Sequence, residues 1–182
     1  MENNVSDEKT SRFAAKNIEG KYLTFTLGVE EYGLEILKVR EIIGYMEITS
    51  VPQTPVFIKG VINLRGKVIP VIDLRLKFGM EETEATEETC IIVVDIGEML
   101  MGILVDAVSE VVDIPAEKIE PPPAFGSSIS TDFILGMGKA QDKVKILLDI
   151  AKVLSQEELM NVSSMEGVAG GAPAEPEGQG GL

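Results

Sequence analysis

The 182-residue chain repeats itself, and the repeat constrains its fold more than any other feature. Displaced by 69 residues, Leu27–Ile43 falls on Ile96–Val112, so that Gly28, Gly33, Val39 and Glu41 meet Gly97, Gly102, Val108 and Glu110. Displaced by 76, Phe57–Leu74 falls on Phe133–Ile150, and Phe57, Ile58, Gly60, Lys67, Val68 and Asp73 meet Phe133, Ile134, Gly136, Lys143, Val144 and Asp149. The seven-residue difference between the two offsets places one insertion within Pro121–Ser130. One unit is used twice, giving halves of about 21–78 and 89–154 joined by the acidic, Thr-rich stretch Gly79–Glu88.

Each half has β character. Tyr22–Leu27 and Cys90–Ile96 are short runs of β-branched, aromatic and aliphatic residues stopped by glycine. Gly97-Glu98 suits a tight hairpin with glycine at its first central position. Val68–Ile72 reads as a buried strand, with Pro70 confining it to an edge or bulge because it has no ladder N–H. Gly33–Ile43 also has helical spacing, but its partner Gly102–Val112 is so rich in Val and Ile that both are read as strands. Pro55–Gly60 and Thr131–Gly136 are expected to form single helical turns. One clear α-helix is expected at the C-terminal side, where Ser155 and Glu158 form a capping box and the helix runs to about Asn161. A β-unit of this size buries too little surface alone, so two small barrels packed on a common core are expected.

Composition narrows function. Residues 1–17 are polar and residues 164–182 are dominated by Gly, Pro, Ala and Glu, so both ends are expected to be disordered around a domain at 18–163. No apolar run is long enough to span a bilayer, and the single Cys90 rules out an intramolecular disulfide framework; the expected compartment is the cytoplasm. A formal charge of −14, densest at Glu81, Glu82, Glu84, Glu87 and Glu88, argues against nucleic acid or an anionic membrane as partner.

Catalytic chemistry finds little to work with. Histidine is absent, which removes the commonest general base and a favoured metal ligand. Cys90 opens an apolar strand and lacks a cationic cluster to lower its pKa. Gly136-Met-Gly-Lys139 lacks the glycine spacing and the following Ser/Thr of a phosphate loop. No metal-ligand spacing is present, and no cofactor is expected. Asp73 and Asp149 each close an equivalent strand, where Asp suits a turn; as paired carboxylates they would support an alternative, an acidic β-barrel small-ligand binder or hydrolase.

The informative difference lies between the copies. Asn63-Leu64-Arg65-Gly66-Lys67 in the first half meets Lys139-Ala-Gln-Asp-Lys143 in the second, so the shared fold does not demand Asn63, Leu64 or Arg65. Arg65 before Gly66 suits an exposed β-turn, and Arg is enriched at interface anchors.

At these residues the chain resembles the CheW-like family of bacterial chemotaxis coupling proteins, over about Gly20 to Leu159. The resemblance rests on Phe25-Thr-Leu-Gly-x3-Tyr-Gly-Leu-x-Ile-x2-Val-x-Glu-Ile, Pro55-x-Phe-Ile-Lys-Gly, Asn63-Leu-Arg-Gly-x-x-Ile-Pro-Val-x-Asp-Leu-Arg and Gly102-Ile-x-Val-Asp-x-Val-Ser-x-Val. It implies two SH3-like five-stranded barrels around a shared hydrophobic core, with no catalytic activity. It implies a scaffold linking the cytoplasmic tips of chemoreceptors to the regulatory domain of a CheA-type histidine kinase. It marks Asn63, Leu64, Arg65 and Gly66 for coupling, and Val39, Glu41, Gly60 and Val108 for partner binding or its support. A Glu41–Arg65 pair that orients the arginine is a further expectation. The tail after Ser163 departs from the family pattern.

Overall fold

The glycine-stopped apolar runs fold as hairpins. The computed structural model describes residues 19–123, 131–155 and 157–163. Strand β1 (Gly20–Leu27) turns into β2 (Glu30–Glu35), and β6 (Cys90–Ile96) turns into β7 (Met99–Val105). Leu27 faces Glu30 and Ile96 faces Met99, so each loop has two residues, led by Gly28 and Gly97 at φ of 62° and 63°. A second kind of hairpin is also present twice, as β4 (Ile58–Leu64) with β5 (Lys67–Asp73) and as β10 (Ile134–Ala140) with β11 (Lys143–Leu148). The remaining strands are β3 (Val39–Gly44), β8 (Ala107–Ile114) and the short β9 (Ile119–Glu120).

Several local expectations need correction. Pro55–Gly60 and Thr131–Gly136 are not helical. Each is a β-turn closed by one bond (Ile58 N–H to Pro55 O, 3.0 Å; Ile134 N–H to Thr131 O, 2.9 Å) that leads into a strand with a bulge. Pairing to β5 and β11 holds these residues extended. Gly33–Ile43 is not continuous strand, since a 3₁₀ turn at Ile36–Lys38 separates β2 from β3. Pro70 lies on neither an edge strand nor a bulge: β5 sits between β4 and β7. Proline is tolerated because pairing with β7 begins only at Val71. Helix α1 (Leu74–Lys77) and helix α2 (Ile150–Val153) follow the two equivalent aspartates. Asp73 Oδ1 accepts from Leu76 N–H at 3.3 Å and Asp149 Oδ1 from Ala151 N–H at 3.2 Å, so both act at helix starts.

The expected C-terminal helix occupies residues 157–163. Its capping box is formed: Glu158 N–H donates to Ser155 Oγ at 3.1 Å, and Ser155 N–H donates to Glu158 Oε1 at 2.7 Å. Val162 on this helix is buried. Residues 1–17, most of the Pro121–Ser130 insertion and the tail 164–182 lie outside the described residues.

The described residues form two compact units, 19–39 with 107–153 and 40–106 with 154–163. The first holds the sheet β8-β1-β2-β11-β10-β9; the second holds β3-β6-β7-β5-β4. Under the sequence repeat, β8, β1, β2, β11 and β10 correspond to β3, β6, β7, β5 and β4, so the two orders are the same. Each sheet therefore takes its Gly-led hairpin from one sequence half and its other long strands from the other. The units interleave the halves.

Each unit has its own apolar cluster. In the first, Tyr22, Ile114, Ile119 and Leu147 pack together; in the second, Ile62, Ile69, Val71, Ile91 and Val93 do. Burying a side chain of this size contributes about 1.5–3 kcal/mol. Ile92 and Val94, on the other face of β6, are also buried, which explains why that strand reads as continuous apolar sequence. No helix among the described residues is long and apolar enough to cross a membrane.

Candidate functional site

Two residues, Arg65 and Gly66, make the β4–β5 turn, with Leu64 facing Lys67 across it. Their φ values of 52° and 85° are both positive, the turn whose twist matches that of paired strands. Glycine adopts this at no steric cost, whereas arginine there costs roughly 1–2 kcal/mol. Asn63 steadies the turn, its Oδ1 accepting from Gly66 N–H at 2.9 Å. The equivalent β10–β11 turn has Gln141 and Asp142 at 55° and 62°. The turn conformation thus belongs to the fold, and the arginine belongs to this copy alone.

Glu41 comes to the arginine from β3. In the sheet order β3 and β4 are opposite edges, yet Arg65 Nη2 lies 2.5 Å from Glu41 Oε2, so the sheet rolls until its edges meet. The segment after β3 completes the closure: Thr49 N–H donates to Val61 O and Val61 N–H to Thr49 O, both at 2.9 Å. The bond from Arg65 holds the Glu41 carboxyl below the usual glutamate range, and Glu41 in turn raises the guanidinium. Arg65 remains 70% exposed and Glu41 31%, so the pair aims a charged, accessible guanidinium outward.

The other residues marked from sequence divide by role. Gly60 is buried at φ 142°, and a Cβ there would stand 1.9 Å from Thr49 O, so its lack of a side chain makes room for the Thr49–Val61 bridge. Leu64 packs on the core cluster of its unit and anchors the turn. Val39, the first residue of β3, and Val108, on β8, are half-buried and fall in the first unit. Two exposed apolar residues escaped the sequence reading: Ile42 on β3 and Tyr45 just after it. Burial alternates along Val39–Gly44, half-buried then exposed, although the sequence itself, with Ile42 and Ile43 adjacent, does not alternate. The structure also shows the repeat-equivalent contact: Gln141 Nε2 donates to Glu110 Oε1 at 2.9 Å, matching Arg65 and Glu41 with a neutral donor.

The carboxylate alternative gains no support. Asp73 and Asp149 fall in different units, each engaged at its own helix start. A cavity of about 220 Å³ in the second unit is lined by Asp73, Glu82 and Asp106 among others, but its cations are committed. Lys59 pairs with Glu82, and Arg75 with Asp106 at 2.8 Å. Burial raises the Asp73 carboxyl, partly offset by the Leu76 N–H. Among the described residues no group of three His, Cys, Asp or Glu could hold a metal ion.

An exposed, ion-paired turn braced on a rolled sheet defines the class: a small β-module built for docking to other proteins. Comparison with known proteins agrees. The CheW-like domain matches residues 21–158. Chemotaxis protein CheW of Klebsiella aerogenes is 44% identical over 155 residues, 85% of this chain and 93% of that protein. Chemotaxis protein CheW of Thermotoga maritima is 30% identical, covering 81% and 95%. The crystal structure of scaffolding protein TtCheW from Thermoanaerobacter tengcongensis superposes with a TM-score of 0.70 at 40% identity, covering 78% of this chain and 96% of that one. The chain belongs to the CheW-like family and is a chemotaxis adaptor.

Proposed function

We propose that this adaptor couples the cytoplasmic tips of chemoreceptors to the regulatory domain of a CheA-type histidine kinase, and that it does so in the cytoplasm without catalysis or cofactor. The supporting observation is the Arg65 corner: Glu41 holds the guanidinium outward, while the repeat-equivalent turn bears Gln141. A mobile arginine would lose side-chain entropy on binding, and a braced one loses less. Glu41, Asn63, Leu64, Gly66 and Gly60 then act by placing Arg65. Val39 and Val108 stand as further partner-binding residues of the domain at 18–163.

The test is capture of the full chain by a receptor cytoplasmic tip and by the kinase regulatory domain, each alone and together. Arg65→Ala should abolish the ternary complex with unchanged unfolding midpoint, Glu41→Gln should weaken it, and Gln141→Ala should leave it intact. Normal ternary assembly with Arg65→Ala would overturn the site. Deletion of 167–182 should not alter kinase binding.

A further inference from the structure

The two units share one strand plan, and on its parallel strand pair one buried position holds charge in one unit and apolar residues in the other. In the second unit β5 runs parallel to β7, with Val71 opposite Gly102 and Ile72 opposite Ile103. The same register carried two residues back sets Ile69 beside Leu100. Ile69 is 1% exposed, and Leu100 packs on its cluster. In the first unit β11 runs parallel to β2 in the equivalent register, Leu147 opposite Gly33 and Leu148 opposite Leu34. There the matching position holds Lys145 opposite Glu31. The Lys145 side chain is 1% exposed, and its Nζ lies 2.7 Å from Glu31 Oε2, itself 18% exposed. An apolar contact in one unit is a buried ion pair in the other.

Such a pair is weak evidence for stability, because two ions leave water to form it and a well-packed apolar pair often does as well or better. Its best-attested use is to select partner and register. This chain has a selection to make. Hairpins β1–β2 and β6–β7 are repeats of each other, and each pairs with the last long strand of the opposite sequence half, β2 with β11 and β7 with β5. Over the next three positions of these interfaces every equivalent pair is uncharged: Gly33 matches Gly102, Leu34 matches Ile103, Leu147 matches Val71 and Leu148 matches Ile72, while Tyr32 and Ile146 match Met101 and Pro70. Both glycines even serve the same end, since a Cβ on Gly33 would meet Leu147 at 2.8 Å and one on Gly102 would meet Val71 at 3.2 Å. Apolar patterning alone would let either hairpin take either strand.

We propose that Glu31 and Lys145 enforce the exchange of hairpins between the sequence halves. With β2 on β5, Glu31 would face Ile69. With β7 on β11, Lys145 would face Leu100, a buried ammonium with no carboxylate. Only the observed arrangement sets charge against charge and apolar against apolar. Lys143, also on β11, is exposed and adds only a lesser attraction on Glu31, behind the direct bond from Lys145.

The test uses the full chain with Glu31→Leu and Lys145→Ile, singly and together, and with the reversed pair Glu31→Lys/Lys145→Glu. Each is unfolded in denaturant, refolded by dilution, and assayed for monomer yield by gel filtration and for homogeneity by amide NMR. Either single change should lower the unfolding midpoint, because it buries one charge without its partner. The apolar double should recover the midpoint of its native fraction. Its refolding should nonetheless slow, its native yield should fall several-fold, and a second set of amide resonances should grow in. The reversed pair should restore a single species. The proposal is overturned if the apolar double refolds with the yield, rate and single spectrum of the parent. It is equally overturned if the reversed pair refolds no better than the apolar double.

Discussion

Replacing Gly60 by alanine tests how the second unit closes. The new Cβ would lie 1.9 Å from Thr49 O and 2.6 Å from Thr49 C, where ordinary contact begins at 3.4 Å, so the backbone must open by about 1.5 Å. Thr49 N–H to Val61 O and Val61 N–H to Thr49 O, both 2.9 Å, cannot survive that displacement. Their loss costs about 1 kcal/mol each. A φ of 142° adds roughly 1–3 kcal/mol for any residue bearing a Cβ. The expected total is about 3–5 kcal/mol, against domain stabilities of roughly 5–15. Gly20 supplies the control: its φ is 144°, but a Cβ there meets nothing within 4 Å, so Gly20→Ala carries the strain alone. The difference between the variants, about 2 kcal/mol, isolates the bridge. Urea unfolding followed by circular dichroism measures both. Equal destabilisation within about 0.5 kcal/mol would show that the Thr49–Val61 closure contributes nothing and refute the reasoning.

Two further outcomes follow from the structure. Burial, and secondarily Glu35, pushes the Tyr22 phenol from 10.0 up to about 12. A folded value above the unfolded one means this contribution to stability is complete below pH 10 and is lost as pH rises from 10 towards 12. Parallel denaturation series should show a steep alkaline loss of roughly 2–3 kcal/mol that Tyr22→Phe flattens; identical slopes would refute it. Separately, Ser155→Ala removes one side of the capping box and should cost about 1 kcal/mol. The loss should appear as faster amide exchange across residues 157–163, with the amides of β1 and β2 unchanged.

Much of the local structure is legible because it depends on near neighbours. Gly28 and Gly97 announce hairpins because a turn of two residues needs positive φ at its first position. Ser155 and Glu158 announce a helix start because three residues separate groups that satisfy each other. The contrast between Arg65 and Gln141 was visible by laying one copy on the other, and it pointed to the residue that the fold leaves exposed. The bulged starts of β4 and β10 misread as helical turns because their extended form depends on partner strands far along the chain. Pro70 misled for a related reason: edge or interior depends on where pairing with β7 begins, which no local pattern records.

The sequence by itself determined that the chain contains one β-unit twice, where its strands turn, and which copy carries the special arginine. Only the tertiary structure decided which hairpin joins which strand, since the duplicated strands carry similar apolar patterns. The Glu41–Arg65 pair, expected from the sequence, is present, and the fold supplies its physical reason: the contact forms when the sheet rolls and its two edges meet. Hydrophobic burial is non-directional and cannot tell one copy from its twin. Charge can, and the fold sets Lys145, the one fully buried lysine among the described residues, against the Glu31 carboxylate.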